Sequence, residues 1–360
     1  MRVLVYFGHP AQYLFLRATI RYLLNNDCEV KIIIKSKDVL ENLLLSDDMV
    51  YSNIQVNERG KTKIAILISL LKRGIKLMPI IAKFKPDVLI GTDATISQLG
   101  WILRINRITI TEDDYEVVRH LAWLSYPFTQ TILCPIPCNV GRWESKKVGY
   151  NGFMKLGYLH PNVFTLSSNV LTKYKIKENY VILRLAKLTA HHDFGVLGIQ
   201  SNLLDELIEL FESYGLNVFI SAEGSTEDKY TRHLIDLDPQ DMHQFLANSK
   251  LLICDSQSMS VEACMLGVPS IRVSSFVGKI SVLEELEHKY GLTYGVSPEM
   301  PERVLEITNE LLAIKNLNKL FQERRMQMLK EKIDVTHFLT EFIMGYPDSA
   351  KILRNHDNMD

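Results

Sequence analysis

The sequence predicts an α/β fold made of two successive doubly wound domains, each a parallel sheet with helices on both faces. Three observations predict it. Short, β-branched apolar runs alternate with stretches whose apolar residues recur at spacings of three and four. A stretch crowded with Pro and Gly, residues 135–161, interrupts that alternation. The alternation then resumes over a second length of chain. Repeated strand–helix alternation implies parallel pairing, because right-handed crossovers lay helices on both faces of one sheet. At about 150 residues per domain, a chain of 360 residues fits two.

The first domain is expected over residues 1–160. Residues 3–7, 30–34, 88–91, 108–110 and 131–133 read as strands, short and bounded by turn or polar residues. Residues 13–24, 64–84, 96–103 and 117–123 carry the helical spacing between them. Residues 135–161 read as the connection between domains. The second domain, residues 161–335, repeats the pattern. Strands are expected at 180–183, 217–221, 251–254 and 270–273, with helices at 202–214, 240–246 and 258–266. Residues 302–342 are strongly helical and charged, and are expected to pack back across the domains. A C-terminal helix and tail occupies 336–360, with 348–360 expected to fray. Two such sheets facing each other leave a cleft outside the carboxyl ends of their strands, where ligands of this architecture bind.

Composition narrows the function. Lys and Arg number 41 against 42 Asp and Glu, a formal charge of −1, which excludes a broadly basic nucleic-acid binder. Five cysteines form no zinc-like pair of pairs, which points to a reduced, cytoplasmic enzyme. Cys134 and Cys138, with two prolines between them, read as packing residues. The amino terminus looks like a first strand and not a signal peptide. Residues 64–84 are the most apolar long segment. Lys72, Arg73 and Lys76 make it too charged to span a bilayer, so it reads as a buried amphipathic helix, with a peripheral membrane face left open. No Gly-x-Gly-x-x-Gly follows the first strand and no Walker sequence appears, so hydride transfer and ATP hydrolysis rank low.

Five places can carry chemistry. The first runs from Asp255 through Ser256, Gln257 and Ser258 to Glu262, then Gly267 and Pro269. An apolar strand there enters a small polar turn and a helix, whose free N–H groups and dipole favour phosphate. Ser256 and Ser258 add hydroxyls, and Glu262 can accept both hydroxyls of a ribose. The same residues also fit a plainly capped helix. The second is Asp93, at a strand end before a helix, which is either a cap or a carboxylate facing the cleft. The third is Glu112-Asp113-Asp114-Tyr115-Glu116, where crowded acids suit proton transfer or form a solvated loop. The fourth is the adjacent pair His191 and His192. Adjacent residues diverge and no ligand spacing lies nearby, so no metal is expected; one histidine at a cleft can hold a phosphate or move a proton. The fifth is Gly8 and His9, where the first strand meets the first helix. Glu223, after the second domain's second strand, is a further loop acid that can line a nucleotide pocket.

Read whole, the string from Asp255 to Pro269 resembles the carboxyl-domain motif of nucleotide-sugar enzymes with the GT-B glycosyltransferase fold. It is similar to that of UDP-N-acetylglucosamine 2-epimerases, Asp-Ser-Gly-Gly-x-x-x-Glu followed by Leu-Gly-x-Pro, with Gln257 and Ser258 in place of the two glycines. The strings 184–195, 255–286 and 332–336, with 149–152 and 158–161, resemble the family catalogued as domain of unknown function 354 over nearly the whole chain. The epimerase resemblance implies a ribose-binding Glu262 and a catalytic Asp93, matched to a Gly-Asp-Thr element. It implies that Glu112 matches a Val-Glu-Ala-Gly element, that Glu116 and Arg119 have the spacing of a Glu-x-x-Arg element, and that His191 or His192 lies at the cleft. The turn at Gly8 and His9 resembles the first loop of many such glycosyltransferases; the epimerases carry Thr-Arg-Pro-Glu there.

The leading expectation is a nucleotide-sugar-dependent glycosyltransferase of cell-surface polysaccharide biosynthesis. Its donor is expected to be a UDP-linked sugar, used as substrate without a further cofactor, and its acceptor a glycan or a lipid-linked molecule. The alternatives are a UDP-N-acetylhexosamine 2-epimerase-like isomerase and a non-catalytic nucleotide-sugar-binding protein. No nucleic-acid partner and no transmembrane segment are expected.

Overall fold

Apolar β-branched runs form strands and three/four-spaced stretches form helices in a computed structural model that describes residues 1–36, 39–55, 63–186, 198–224 and 226–357. The chain divides into two units, one of residues 1–163 with 333–360 and the other of residues 164–332.

In the first unit the chain alternates β1 (Arg2–Phe7), α1 (Pro10–Asn25), β2 (Glu29–Lys35), α2 (Leu40–Ser46), β3 (Tyr51–Gln55), α3 (Lys63–Phe84), β4 (Val88–Gly91), α4 (Ala94–Ile102), β5 (Asn106–Ile110), α5 (Arg119–Ser125), β6 (Thr131–Pro135), β7 (Lys147–Tyr150) and α6 (Leu156–Leu159). The seven strands are parallel in the order β3-β2-β1-β4-β5-β6-β7. The order reverses between β1 and β4, the switch point at which such sheets open a crevice at their carboxyl ends. Leu4, Tyr6, Ile33 and Leu89 from the sheet meet Leu77 and Ile81 of α3 and Ile96 of α4 in one buried cluster. Burying each such side chain contributes roughly 1.5–3 kcal/mol, which fixes these helices on the sheet.

Residues 135–161, expected to connect the domains, are instead part of this unit. Glycines and prolines there shape a 3₁₀ turn (Gly141–Lys146), the edge strand β7 and the short α6, and the change of unit falls after Val163.

The second unit contains α7 (Asn169–Lys173), β8 (Tyr180–Leu185), α8 (Ser201–Ser213), β9 (Asn217–Ala222), α9 (Met242–Ala247), β10 (Leu251–Cys254), α10 (Gln257–Leu266), β11 (Ser270–Val273), α11 (Ser281–Glu284), β12 (Thr293–Val296), α12 (Pro301–Leu312) and α13 (Leu317–Glu331). Its five strands are parallel in the order β12-β11-β10-β8-β9, with the switch point between β8 and β10. α10 is buried along nearly its whole length and ends at Gly267, whose φ of 69° is left-handed. There α13 takes over: Gln322 Nε2 donates to the Leu266 carbonyl at 2.8 Å and Arg325 Nε to the Met265 carbonyl at 2.5 Å. These donors satisfy carbonyls that a helix end leaves open.

The last two helices, α14 (Val335–Met344) and α15 (Asp348–Asp357), belong to the first unit. Asp334 caps α14 through the His337 N–H at 3.1 Å, and Thr336 Oγ1 donates to the Gly157 carbonyl at 3.1 Å. Residues 348–360, expected to fray, are helical through Asp357. Arg354 NH2 ties this helix to Thr131 Oγ1 at 2.6 Å. Among the described residues no helix is long and apolar enough to cross a membrane.

Candidate functional site

Unit 2 builds its switch point from the ends of β8 and β10. β10 is fully buried and delivers Asp255 and Ser256 directly to the start of α10. Ser256 is extended and its Oγ accepts from the Met259 N–H at 3.4 Å, so it caps the helix. Gln257 occupies the first turn, and its Oε1 is buried with no hydrogen-bond partner among the described residues. Ser258 is half-buried beside it. Glu262 is buried in the second turn, 3.5 Å from His243 Nε2 of α9. The expected cap and the expected polar cluster therefore occur together: Ser256 caps, while Gln257 and Glu262 place an amide oxygen and a carboxylate along the same helix.

Asp255 is the strained member. It is buried, and burial pushes its pKa up to about 6 against the backbone N–H groups of Ala186, Ile199 and Asp255 itself and the charge of Arg184. Ala186 N donates to Oδ1 at 2.6 Å. Residue 198 has to be glycine, since a Cβ there would lie 2.4 Å from Asp255 Oδ2. Arg184, on β8, donates to Ser221 Oγ at 2.7 Å and pairs with Glu223, which is exposed. The Nε of Arg184 is buried and without a partner among the described residues. His191 and His192 lie outside the described residues.

Unit 1 brings together Gly8, His9, Lys35 and Asp93 at the ends of β1, β2 and β4. The Gly8 N–H donates to Gln12 Oε1 at 2.9 Å. His9 caps α1, its Nδ1 accepting from the Ala11 N–H at 3.2 Å, and Pro10 fills the first helical position. Asp93 caps α4: Oδ1 accepts from the Thr95 N–H at 2.9 Å and from Thr95 Oγ1 at 2.7 Å. It also faces the buried Arg73 guanidinium at 3.3 Å and Lys35 Nζ at 4.0 Å. Burial alone would raise its pKa; Arg73 first, then Lys35 and Thr95, outweigh burial and hold the carboxyl below its usual range.

The run 112–116 does not form one cluster. Glu112 turns inward and is buried, taking the Met154 N–H and Lys155 Nζ, each at 2.5 Å. Asp114 is buried and accepts from the Asn139 N–H at 2.7 Å. Glu116 is exposed and pairs with Arg119 one turn on. The two residues matched to the Glu-x-x-Arg element thus bind each other on the surface. Cys134 and Cys138 are both fully buried; Cys138 Sγ donates to the Glu112 carbonyl at 3.1 Å.

Sequence reasoning missed the basic partners Lys35, Arg73, Lys155 and Arg184, and His243. Arg73 had a signal: it falls on the same helical row as Leu70 and Leu77, which are buried, so it had to point inward and find an acid. Lys155 had none, because its acid lies 43 residues away. Among the described residues, Glu284, Glu287 and His288 bring ligand-type atoms within 4.8 Å of one another. The fully buried Arg272 already holds Glu284 at 3.0 Å and Glu287 at 2.7 Å, so the trio is a salt-bridge network.

Two parallel-sheet α/β units, each with polar residues gathered at its switch point, define a protein of GT-B type. The chain belongs to the family described as protein of unknown function (DUF354), whose model matches residues 5–346. Solved structures share the fold. The Staphylococcus aureus MnaA–UDP co-structure aligns with a TM-score of 0.69 at 14% identity, covering 97% of each chain. The Neisseria meningitidis UDP-GlcNAc 2-epimerase bound to UDP-GlcNAc aligns at 0.65 and 16%, covering 96% of this chain and 100% of that one. MurG of Acinetobacter baumannii aligns at 0.59 and 14%, covering 95% and 99%. A search of curated proteins by sequence finds no match.

Proposed function

We propose that the chain is a nucleotide-sugar-dependent glycosyltransferase of polysaccharide biosynthesis, acting in the cytoplasm on a UDP-linked donor. The observation that carries the reading is the start of α10, where the cap Ser256, the oxygen of Gln257 that has no partner among the described residues, and the buried Glu262 follow one another on one helix. In this reading the first-turn N–H groups and helix dipole receive the diphosphate, and Glu262 accepts the ribose hydroxyls. Ser258 and Glu223 border the same pocket, and Arg184 supplies a cation beside it. His191 or His192 donates to the leaving diphosphate. Unit 1 binds the acceptor around Gly8 and His9.

Transfer is favoured over isomerisation by the state of the acids in unit 1. An epimerase has to remove a proton from one face of the sugar and return it to the other, with groups that change protonation. Asp93 is held below its usual range by Arg73 and Lys35, which weakens it as a base, and Glu112 has its oxygens occupied by the Met154 N–H and Lys155 Nζ. The epimerase reading keeps one observation of its own: solved structures of the same fold are described as UDP-GlcNAc 2-epimerases. Incubating the purified chain with UDP-GlcNAc alone separates the two. A transferase leaves it unchanged until an acceptor is supplied, whereas formation of a second UDP-sugar without acceptor would overturn the transferase reading in favour of the isomerase.

A further inference from the structure

Helix α3 carries apolar side chains on two flanks, and among the described residues only one of them packs into the core. Leu70, Leu77 and Ile81 point into the core. On the adjoining flank Ile68, Leu71, Ile75 and Met78, spaced by three, four and three residues, form one stripe and are 46, 60, 71 and 45% exposed. A helix that only covers a sheet needs one apolar face; the second is unfavourable in water unless something covers it. Charge along the same segment is one-sided. Residues 59–86 hold eight Lys and Arg and no Asp or Glu, in a chain that as a whole balances 41 against 42. Of these cations, Lys72 and Lys83 are exposed and run along one edge of the apolar stripe.

We propose that the outer face of α3 seats unit 1 on an anionic lipid surface, with the four apolar side chains in the acyl boundary and the lysine edge at the phosphate headgroups. An interfacial helix needs this combination, an apolar stripe with cations flanking it. A second copy of the chain fits less well. Laying one α3 on another covers the apolar stripes but brings together two segments that carry only positive charge, with no acid in either to neutralise them. The surface lies wholly within unit 1 and is independent of any nucleotide.

Sedimentation of the full chain with vesicles tests this directly. The chain is expected to pellet with phosphatidylglycerol-containing vesicles, to remain mostly in solution with pure phosphatidylcholine, and to be released by salt, which screens the headgroup attraction. Leu71→Glu/Ile75→Glu should lower binding by about 10-fold or more, since it removes buried apolar area and adds repulsion. Lys72→Glu/Lys83→Glu should lower it several-fold and abolish the preference for anionic lipid. All four side chains face solvent, so thermal unfolding should match the unsubstituted chain. The lysine pair decides the matter even if the apolar pair misfolds. A chain that ignores anionic vesicles, or double variants that pellet as well as the parent, overturns the proposal. So does a concentration-dependent dimer that the apolar variant dissociates while no vesicle is bound.

Discussion

Asp93 and Glu112 each leave water for a buried cation, Arg73 and Lys155 respectively, whereas Asp255 leaves water chiefly for backbone N–H groups. That difference sets the titration of Asp93 and Asp255. Asp93 is stabilised as the anion, but for Asp255 burial wins and the carboxyl is raised from 3.8 to about 6. The sign of the linkage follows. Below about pH 4 the carboxyl is protonated in folded and unfolded chains alike. Between about 4 and 6 the unfolded chain releases a proton that the folded chain keeps, so stability falls as pH rises. Above about 6 the folded chain carries a buried anion at a cost of about 3 kcal/mol. Asp255→Asn, which cannot ionise, should therefore gain stability relative to the parent by up to that amount between pH 4 and 7. Urea midpoints across this range check it, and a difference independent of pH would show that Asp255 titrates normally.

Among elements, the strands read from sequence are those with sheet on both sides, together with β9. β1, β4 and β10 have buried residues at nearly every position and announce themselves as apolar runs. The three strands not anticipated, β3, β7 and β12, are all edge strands. Their sequences, Tyr-Ser-Asn-Ile-Gln, Lys-Val-Gly-Tyr and Thr-Tyr-Gly-Val, mix polar residues and glycine because an edge is only partly covered. α10 was legible for the opposite reason: its cap, its buried length and its Gly267 stop all lie within 12 residues of local sequence, from 256 to 267. Local signals of this kind placed Ser256, His9 and Asp93 at helix starts. They could not say that Glu112 turns inward and Glu116 outward, since that depends on Lys155 arriving from elsewhere in the chain. At Gly267, φ is 69° and a Cβ would lie 2.6 Å from Gln322 Nε2. Gly267→Ala should thus destabilise the second unit by about 1–2 kcal/mol from the left-handed backbone alone, before Gln322 is displaced. A denaturation midpoint unchanged from the parent would show that this helix end tolerates an ordinary residue.

For the whole molecule, one architectural rule is used twice. Each unit reverses strand order once, and each gathers its polar residues where the carboxyl ends diverge. The two gatherings differ in character. In unit 1 Asp93, at the switch point, is met by Arg73 and Thr95, and Glu112, beyond the end of β5, is met separately by Lys155 and the Met154 N–H. In unit 2 Gln257 Oε1 and Arg184 Nε are left buried and without partners among the described residues, and buried polar atoms of that kind are costly unless a ligand or water completes them. Buried hydroxyls without partners among the described residues also occur in unit 1, at Thr19 and Tyr150, so the proposal that the nucleotide binds unit 2 rests on where its unpartnered atoms lie, at the start of α10 and on β8. Calorimetric titration of UDP into the parent chain and into Glu262→Ala tests the assignment most directly. The parent is expected to bind UDP, and the variant, still folded, to bind it more weakly by about 1–3 kcal/mol, the worth of hydrogen bonds to a charged group. A parent chain that binds no nucleoside diphosphate, or a variant that binds UDP with undiminished affinity, would contradict the assignment.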